Sequence, residues 1–535
     1  MSESNGSVTP SPGNDVNAII NIDSIHPTLS LLKALPECNL VIKKEKDTDK
    51  KTVRTSFPLK NHKDLLLSGR VYHDYDFKPR KSIMDRATAP QEFAKSEFRG
   101  FYVLFWLSMF VWIVQLYAKS YWLRNTILGL PIAKIVFRQF FVLFGSDFIM
   151  VLLTFFSFGL QWCVEKRYIV WANTGYAIQL IWQGCFTSLA VYWVIHRKFP
   201  VIQCLFFTLH CAVLVMKQFS YAQHLGYMSK ARELHEAYGD VLQLIRNILK
   251  EDSDEGQMYR FELEYPDHTE SIDALKAEEV VALTMKYLSR QLRSEKGNVA
   301  YPNNLTLLNY IDYLLVPSLV YSLEFPRVSK FNLKYLLVKV ASIFGVLIIC
   351  LALVDWYFLP TAESVQGLDF MTKLHHAPFL MSRILFPAVI LYLLLFYLTF
   401  DCILNAFAEI TKFADREFYG PWWNTVTWDE FARLWNIPVH VFLMRHVYHS
   451  SRQRMNKTWA VFLTFLLSAL VHEFVMLLVT GKLRCYILFM QLLQLPLYDL
   501  CQMSGLKNRA LLGNLFFWIG IFTGPSFLCI LYIVF

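Results

Sequence analysis

Long apolar runs alternate with polar stretches along most of the chain. A membrane-spanning helix needs about 20 mostly apolar residues, and nine runs approach or exceed that length. They lie at about residues 100–118, 139–163, 168–195, 199–218, 337–358, 382–400, 457–480, 484–502 and 510–535. The pattern therefore predicts an all-α polytopic membrane protein with about nine transmembrane helices.

Polar segments lie before and between these runs. Residues 1–95 are predicted to form a cytosolic, basic and largely disordered N-terminal tail, because the first residues lack an apolar period and the later ones are densely charged. Residues 96–535 are predicted to form the membrane domain. It includes a cytosolic segment, 222–334, with amphipathic helices at 228–249 and 271–293. It also includes a loop, 401–456, that begins where the sixth span returns to the cytoplasm at Asp401.

The composition agrees with a membrane protein and disagrees with most other classes. Hydrophobic residues make up 55% of the 535 positions and charged residues 18%, against roughly 45–50% and 25% in soluble domains. The excess of aromatic residues excludes a disordered or collagen-like chain. The net charge is +9, and the basic residues cluster in polar segments without interleaved stacking residues. A membrane surface or an anionic substrate is therefore favoured over nucleic acid.

His472 is the first candidate for catalysis, because it lies well inside the apolar run 457–480. An ionisable side chain at that depth costs on the order of 3 kcal/mol, so it is usually retained for a function. We expect the imidazole to be buried and kept neutral by that burial. The alternative is a core histidine that pairs with a neighbouring helix. Glu473 points about 100° away around the helix and is predicted to be a structural partner.

Ser468 lies one helical turn before His472, on the same face. Three roles are open: a nucleophile, a hydroxyl that orients the imidazole by a hydrogen bond, or a serine that bonds back to the carbonyl of residue 464. We favour the second role, because a nucleophile on the same rigid helix is poorly directed at the base.

The heptad Phe418–Asn424 places four aromatic residues, a turn and an amide at a predicted membrane boundary. An interfacial aromatic belt would explain the rings. It does not explain Asn424, whose carboxamide can donate a hydrogen bond to a developing oxyanion. Downstream cations and rings could bind a phosphorylated, nucleotide-like ligand, and those we assign to this role are Arg433, Trp435, His440 and Arg445. No metal is predicted, because His446 and His449 lack a third ligand nearby.

Other polar residues fall within or beside the apolar runs. Asp147 in the second run and His210 in the fourth could line a polar path or pair within the bundle, and the sequence does not decide between these alternatives. Lys217, at the end of the fourth run, is predicted to reach the membrane interface along its aliphatic stem.

Together these motifs resemble a known family. The heptad, the stretch 435–440, and Ser468–Glu473, with its histidine 48 positions after Asn424, are similar to the sterol O-acyltransferases of the membrane-bound O-acyltransferase superfamily, in particular the fungal members. Residues 96–102, 412–417 and 508–525 strengthen the resemblance, which covers about residues 95–535.

The resemblance implies a membrane-bound O-acyltransferase-type bundle with an internal reaction chamber, in the endoplasmic reticulum membrane. It implies transfer of a fatty acyl group from acyl-CoA to the 3β-hydroxyl of a sterol, with acyl-CoA as a substrate and no cofactor. A homodimer or a dimer of dimers is expected. The family's catalytic histidine corresponds to His472 and its motif asparagine to Asn424. Residues expected to line the chamber are Trp423, Ser468, Gln494 and Tyr419, and those expected to face CoA are His440 and Arg445, with Arg433 and Trp435 beside them.

The chain departs from the family pattern at three places. Pro421 stands where the heptad usually has aspartate, Val441 where close relatives have lysine, and Phe219–Tyr221 in place of His-Ser-Phe. Proline removes a carboxylate and an N–H donor, so a role of that acid is not expected here. A diacylglycerol acyltransferase would share the histidine and the acyl donor, and a multi-span transporter would share the spans.

Overall fold

The computed structural model describes residues 39–44, 53–58, 75–87, 99–251, 259–264, 269–294, 296–494, 496–497 and 509–534. Contacts within the chain divide it into two compact units. One unit comprises residues 1–70 and 236–287, and the other comprises residues 71–235 and 288–535.

The secondary structure is mostly helical. In chain order, the helices are α1 Ile83–Ala87, α2 Arg99–Arg124, α3 Leu130–Val136, α4 Phe140–Leu153, α5 Phe155–Glu165, α6 Tyr176–Arg197, α7 Val201–Glu251, α8 Ala274–Gln291, α9 Leu307–Leu315, α10 Leu333–Leu353, α11 Leu359–Glu363, α12 Phe370–Phe396, α13 Leu404–Ile410, α14 Trp428–Leu434, α15 Ile437–Leu443, α16 His449–Arg452, α17 Lys457–Thr480, α18 Tyr486–Leu492 and α19 Ala510–Val534. Wider π-helical turns lie at Trp171–Gly175, Val354–Phe358, Tyr397–Ile403 and Met444–Tyr448, and a 3₁₀ turn at Trp422–Asn424.

The first unit contains a small antiparallel sheet that is not predicted from the sequence. Its strands are β1 Asn39–Lys44, β2 Val53–Pro58, β3 Tyr259–Glu264 and β4 Thr269–Ile272, in the order β2-β1-β3-β4. The parts of α7 and α8 in this unit match the two predicted amphipathic helices. Each buries one apolar stripe at helical spacing, and Arg246 on α7 forms an ion pair with Glu278 on α8 at 2.7 Å.

Eight helical stretches of the described chain are long and apolar enough to cross a membrane. They are Val103–Arg124, Phe140–Glu165, Tyr176–Arg197, Val201–Lys250, Leu333–Glu363, Phe370–Ile410, Lys457–Thr480 and Ala510–Val534. The predicted span at 484–502 begins with α18 and extends beyond the described residues. The predicted all-α polytopic membrane class is therefore confirmed, with the small sheet as an addition.

The largest difference between a predicted and an observed helix end is at Asp401. The sequence placed the return to the cytoplasm there, but the helix beginning at Phe370 continues to Ile410. Asp401 is buried and forms an ion pair with Lys339 of α10 at 2.6 Å. Because a paired charge can be accommodated inside protein, the helix continues past a residue that hydropathy alone marks as its end.

Part of the predicted N-terminal tail is structured. Residues 39–44 and 53–58 form β1 and β2, and residues 75–87 pack on the loop 413–417. A charged segment analysed alone shows no partner that could order it, which explains this difference. The other residues of the range 1–95 lie outside the described part, and the proposed domain division at residue 95 stays a prediction.

Polar residues of the spans pair within the protein. The His210 Nδ1 atom lies 2.6 Å from Asp147 Oδ1, so of the two alternatives these residues form a pair within the bundle. The Lys217 ammonium donates to the carbonyls of Tyr313 and Val316 at 2.8 and 2.7 Å, and its side chain is buried. The predicted interfacial role of Lys217 is therefore wrong. These two carbonyl oxygens offer the ammonium the partners that it would otherwise seek in water.

Candidate active site

The heptad forms a tight turn against the end of α14. The backbone N–H of Gly420 donates to the carbonyl of Leu434 at 2.8 Å, and that of Ile437 donates to Phe418 at 3.0 Å. A Cβ atom at Gly420 would lie 2.5 Å from the Leu434 side chain. Only glycine therefore allows this close approach without rearrangement.

Tyr419 anchors the heptad in a buried ionic network. Its hydroxyl donates to Asp401 Oδ1 at 3.1 Å, and Ser82 Oγ donates to the same oxygen at 2.8 Å. The other oxygen of Asp401 accepts from the Lys339 ammonium at 2.6 Å. Burial raises the pKa of the Tyr419 phenol, so its hydroxyl remains a donor. The structure therefore gives Tyr419 an anchoring contact, whereas its expected place in the chamber lining stays a prediction.

Trp422 and Trp435 form the centre of an aromatic cluster. Their rings are 4.9 Å apart at 73°, and Trp435 also stacks on Tyr392 with centroids 4.8 Å apart at 8°. Phe396 covers another part of Trp435 at 4.5 Å. Such contacts each add roughly 0.5–1.5 kcal/mol beyond burial. Trp435 thus packs against other rings and is half-buried, and its predicted contact with CoA stays a prediction.

Two residues of the last helix, α19, fix the 3₁₀ turn Trp422–Asn424, termed the motif turn below, and neither was predicted from the sequence. The Asn514 amide donates to the carbonyls of Trp423 and Thr425, both at 2.9 Å. The Trp518 indole N–H donates to the Trp423 carbonyl at 3.1 Å. An asparagine in an otherwise apolar span is a signal that could have identified Asn514.

Asn424 ends the 3₁₀ turn with an exposed side chain. Its backbone N–H donates to the Pro421 carbonyl at 3.0 Å. Within the part of the chain that the structure describes, its carboxamide makes no hydrogen bond. Trp423, beside it, is half-buried. The Asn424 amide therefore remains available for an external group.

His472 lies on α17 with its ring exposed, so the expected burial is wrong. The next residue, Glu473, faces the packed side of α17, about 100° around the helix, which leaves His472 on a less covered face. The Nδ1 atom of His472 lies 2.7 Å from the Ser468 carbonyl oxygen. Because a carbonyl only accepts, Nδ1 carries the hydrogen, and in the neutral ring Nε2 is left as the acceptor.

The role of Ser468 differs from the one we favoured. The carbonyl of Ser468, and not its hydroxyl, orients the His472 ring. The side chain of Ser468 is half-buried. Any side chain at position 468 leaves a main-chain carbonyl in place, so the contact depends on the helix and not on the serine.

Glu473 has the structural role predicted for it. Its buried carboxylate accepts from the backbone N–H groups of Cys485, Arg484 and Leu488 at 2.6, 3.3 and 3.3 Å. These groups lie at the beginning of α18, where helix N–H donors lack internal partners. Glu473 therefore fixes α18 against α17 immediately beside His472.

The predicted CoA-facing cations have different surroundings. Arg445 is buried, and its guanidinium donates to the Tyr321 carbonyl at 3.1 Å and lies 2.6 Å from His224 Nδ1. Arg433 is exposed and pairs with Asp429 on its own helix at 2.9 Å. The interior contacts give Arg445 a structural role, and a contact of either residue with CoA stays a prediction.

Histidines near these cations are neutral. Burial lowers the pKa of His440, and the nearby Arg433 charge adds to the effect. Burial and the Arg445 charge lower the pKa of His446 to about 3, and its Nε2 lies 2.9 Å from Ser220 Oγ. A neutral ring offers a phosphate no positive charge, so His440 is suited only to hydrogen bonding or stacking.

Asn424 and His472, the two candidate catalytic residues, lie on elements that pack against different parts of the chain. The Asn424 turn packs on α14 and α19, whereas α17 with His472 packs on α18, α6 and residues 444–452. Helix α18 contacts both α17 and α19 and so links the two groups. Gln494, just beyond α18, is half-buried. In the residues described, no three His, Cys, Asp or Glu side chains cluster in a way that could bind a metal.

Comparisons with known proteins agree with these motifs. The family model described as MBOAT, membrane-bound O-acyltransferase family, matches residues 188–534. The chain is 65% identical over 531 residues to probable sterol O-acyltransferase 1 of Schizosaccharomyces pombe, covering 99% of this chain and 98% of that protein. It is 34% identical over 488 residues to sterol O-acyltransferase 2 of Candida albicans, covering 87% and 79%.

A diacylglycerol enzyme matches over a shorter range. The chain is 36% identical over 237 residues to diacylglycerol O-acyltransferase 1 of Dictyostelium discoideum, covering 43% of this chain and 37% of that protein. The similarity to the sterol enzymes, in contrast, extends over most or nearly all of the chain. The chain therefore belongs to the membrane-bound O-acyltransferase family, within which it groups with the sterol O-acyltransferases.

Proposed function

We propose that this chain transfers a fatty acyl group from acyl-CoA to the 3β-hydroxyl of a sterol, giving a steryl ester and CoA. The similarity to a sterol O-acyltransferase along 99% of the chain supports the reaction class. The observation that carries the mechanism is the His472 ring, whose Nδ1 hydrogen is directed at a carbonyl and whose Nε2 is free to accept a proton.

His472 acts as the general base in this proposal. Nε2 removes the proton of the sterol hydroxyl while the oxygen attacks the thioester carbonyl carbon. The tetrahedral intermediate then collapses, the C–S bond breaks, and the CoA thiolate takes the proton back from the imidazolium. The Ser468 carbonyl favours the cation during this step, because it accepts the Nδ1 hydrogen throughout. Positioned proton transfer of this kind contributes about 10²- to 10⁴-fold to the rate.

Asn424 stabilises the oxyanion of that intermediate through its carboxamide N–H. We expect Asn424→Ala to lower kcat by about 10²- to 10³-fold, the usual loss for one oxyanion donor. The measurement is labelled steryl ester formation in isolated membranes with equal amounts of the chain. Asn303→Ala, which removes another exposed asparagine side chain, should leave the rate unchanged. An unchanged rate for Asn424→Ala would remove Asn424 from the mechanism.

Ser468→Ala is expected to leave activity almost intact. The contact to His472 comes from the main-chain carbonyl of residue 468, which alanine also supplies. We expect a change in the rate of steryl ester formation of less than about threefold, roughly 0.6 kcal/mol in the barrier. A loss of two orders of magnitude at normal protein level would show that the hydroxyl itself takes part.

The same similarity supports a proposal for the setting of the reaction. We expect a multi-pass protein of the endoplasmic reticulum membrane with a cytosolic N-terminus, active as a homodimer or a dimer of dimers. The sterol would enter an apolar chamber from the bilayer, and acyl-CoA would bind from the cytosolic side near Arg433 and His440. Trp423 and Gln494 would line the chamber. No cofactor is expected besides the two substrates.

Diacylglycerol is the competing acceptor, and the 36% identity to a diacylglycerol enzyme over part of the chain is the observation that favours it. The test is a competition in one membrane preparation that contains this chain. Labelled oleoyl-CoA is supplied with equal amounts of ergosterol and dioleoylglycerol. We expect label in steryl ester, and label mainly in triacylglycerol would assign the chain to the other reaction.

A further inference from the structure

A segment before the first span pairs with the loop that leads into the heptad. Residues 75–87, termed the strap below, lie beside residues 413–417. The backbone N–H of Arg80 donates to the Ala414 carbonyl at 3.0 Å, and that of Arg416 donates to the Arg80 carbonyl at 2.8 Å. These two hydrogen bonds fix the strap in register with the loop.

Arg80 adds a forked ion pair at the same place. Its Nε and Nη2 atoms donate to the two carboxylate oxygens of Asp415 at 3.0 and 2.8 Å, and its Nη1 donates to Glu417 at 2.9 Å. Arg86 binds the other oxygen of Glu417 at 2.8 Å. A planar guanidinium matches two carboxylate oxygens in one orientation only, so this pair specifies geometry as well as attraction.

The buried carboxylate of Asp415 needs the Arg80 cation beside it. The Asp415 side chain is 5% exposed. Burial raises the pKa of its carboxyl group, and the Arg80 guanidinium opposes that shift. The backbone N–H of Lys78 on the strap also donates to Asp415, at 3.2 Å. A buried carboxylate without its cation is costly, so the loop depends on the strap for its conformation.

A second anchor joins the strap to the heptad itself. Ser82 Oγ donates to Asp401 Oδ1 at 2.8 Å and lies 3.3 Å from the Tyr419 hydroxyl. The strap is therefore tied on one side to Asp415 and Glu417, just before the heptad, and on the other to Tyr419 within it. Asn424 follows Tyr419 by five residues.

We propose that the strap is a positioning element of the acyltransferase site, and that Arg80 is a positioning residue which fixes the motif turn so that the Asn424 amide meets the reacting carbonyl. The contacts that carry this inference are the Arg80 fork, the two backbone hydrogen bonds and the Ser82 contact. It rests on the proposed role of Asn424. Arg80 and Ser82, which precede the first span, thereby help to position the catalytic groups.

The test is a double-mutant cycle in the full-length chain, with kcat and KM for acyl-CoA measured in isolated membranes. Arg80→Ala should lower kcat by about 10- to 100-fold, the loss expected from a small misplacement of a catalytic group, with KM within about twofold. Arg80→Lys should recover part of kcat. In the Asn424→Ala background, Arg80→Ala should add almost nothing.

Controls separate positioning from folding. Asp76→Asn changes an exposed residue of the same strap that pairs with Lys78 and should leave kcat unchanged. Glu417→Gln removes the negative charge that Arg80 Nη1 contacts. Because the Glu417 carboxylate is partly exposed, this variant should fold and remains informative if Arg80→Ala does not. It should lower kcat in the single variant and have almost no effect beside Asn424→Ala.

Three outcomes would overturn the inference. They are a normal kcat in both Arg80→Ala and Glu417→Gln, a loss that matches the fall in folded protein by size-exclusion chromatography, or additive losses with Asn424→Ala. If Asn424→Ala alone is fully active, the proposed mechanism fails at Asn424. That outcome is distinct from additivity, which removes only the link between Arg80 and Asn424.

Discussion

Replacement of His472 by alanine is expected to abolish most of the steryl ester formation by this chain, with a fall in kcat of about 10²- to 10⁴-fold. The reason is that Nε2 is the free acceptor of a ring whose Nδ1 donates at 2.7 Å to a carbonyl of its own helix. The measurement is transfer of label from oleoyl-CoA to ergosterol in isolated membranes. The substitution should leave the amount of protein unchanged, because the ring is exposed.

His376→Ala is the matched control for this prediction. His376 is also an exposed histidine on an apolar helix, α12, and its loss should leave the rate within about twofold of wild type. If the His472 variant makes steryl ester as fast as the His376 variant, the ring has no part in the chemistry. If both variants lose activity together, the effect comes from the membrane preparation or from folding.

Replacement of Lys339 by methionine is expected to destabilise the folded chain by about 3–5 kcal/mol, because it leaves the buried carboxylate of Asp401 without its cation. The pair is 2.6 Å long, with side-chain exposures of 7% and 1%. Asp401 also accepts from Ser82 and Tyr419, so its displacement disturbs the heptad as well. The measurement is the thermal midpoint of the detergent-solubilised chain, read by size-exclusion chromatography, which should fall together with activity.

A second substitution tests whether the unpaired charge causes that loss. In Lys339→Met with Asp401→Asn, the charge is gone, and the amide oxygen can still accept from Ser82 and Tyr419. We therefore expect the double variant to recover most of the thermal midpoint. Lys334→Met, at an exposed position of the same helix, should have no effect. A double variant as unstable as Lys339→Met would contradict the ion-pair explanation.

The family and the membrane class were predictable because their signals are local. Apolar runs of the right length predict spanning helices, and the heptad together with His472 identifies the superfamily through residue type and spacing. The comparisons confirm that assignment. His472 could be identified as a candidate catalytic residue because a titratable side chain in an apolar run is usually retained for a function.

The surroundings of His472 were not predictable in the same way. Which side of α17 is covered depends on how α18 and α6 pack on it, and one helix sequence with few polar residues does not indicate that side. The ring was therefore expected to be buried, but it is exposed. The orienting group is likewise a backbone carbonyl, which no residue type at position 468 could have indicated.

Ion pairs between distant segments of the chain could not be predicted from the sequence either. Lys339 and Asp401 are 62 residues apart, and Arg80 and Asp415 are 335 apart. In the sequence, each of these charged residues alone indicates a helix end or a polar tail. Its partner is brought close to it only when the chain folds. For this reason hydropathy predicts the end of a span at Asp401, and composition predicts that the strap belongs to a disordered tail.

The most direct test of the account is the neutral lipid made when this chain is expressed in a host that lacks neutral-lipid synthesis of its own. Cells are fed labelled oleate and a sterol, and the lipids are separated and identified by mass spectrometry. We expect steryl ester with the wild-type chain and almost none with His472→Ala at equal protein level. Triacylglycerol as the sole product, or wild-type amounts of steryl ester from His472→Ala, would contradict it.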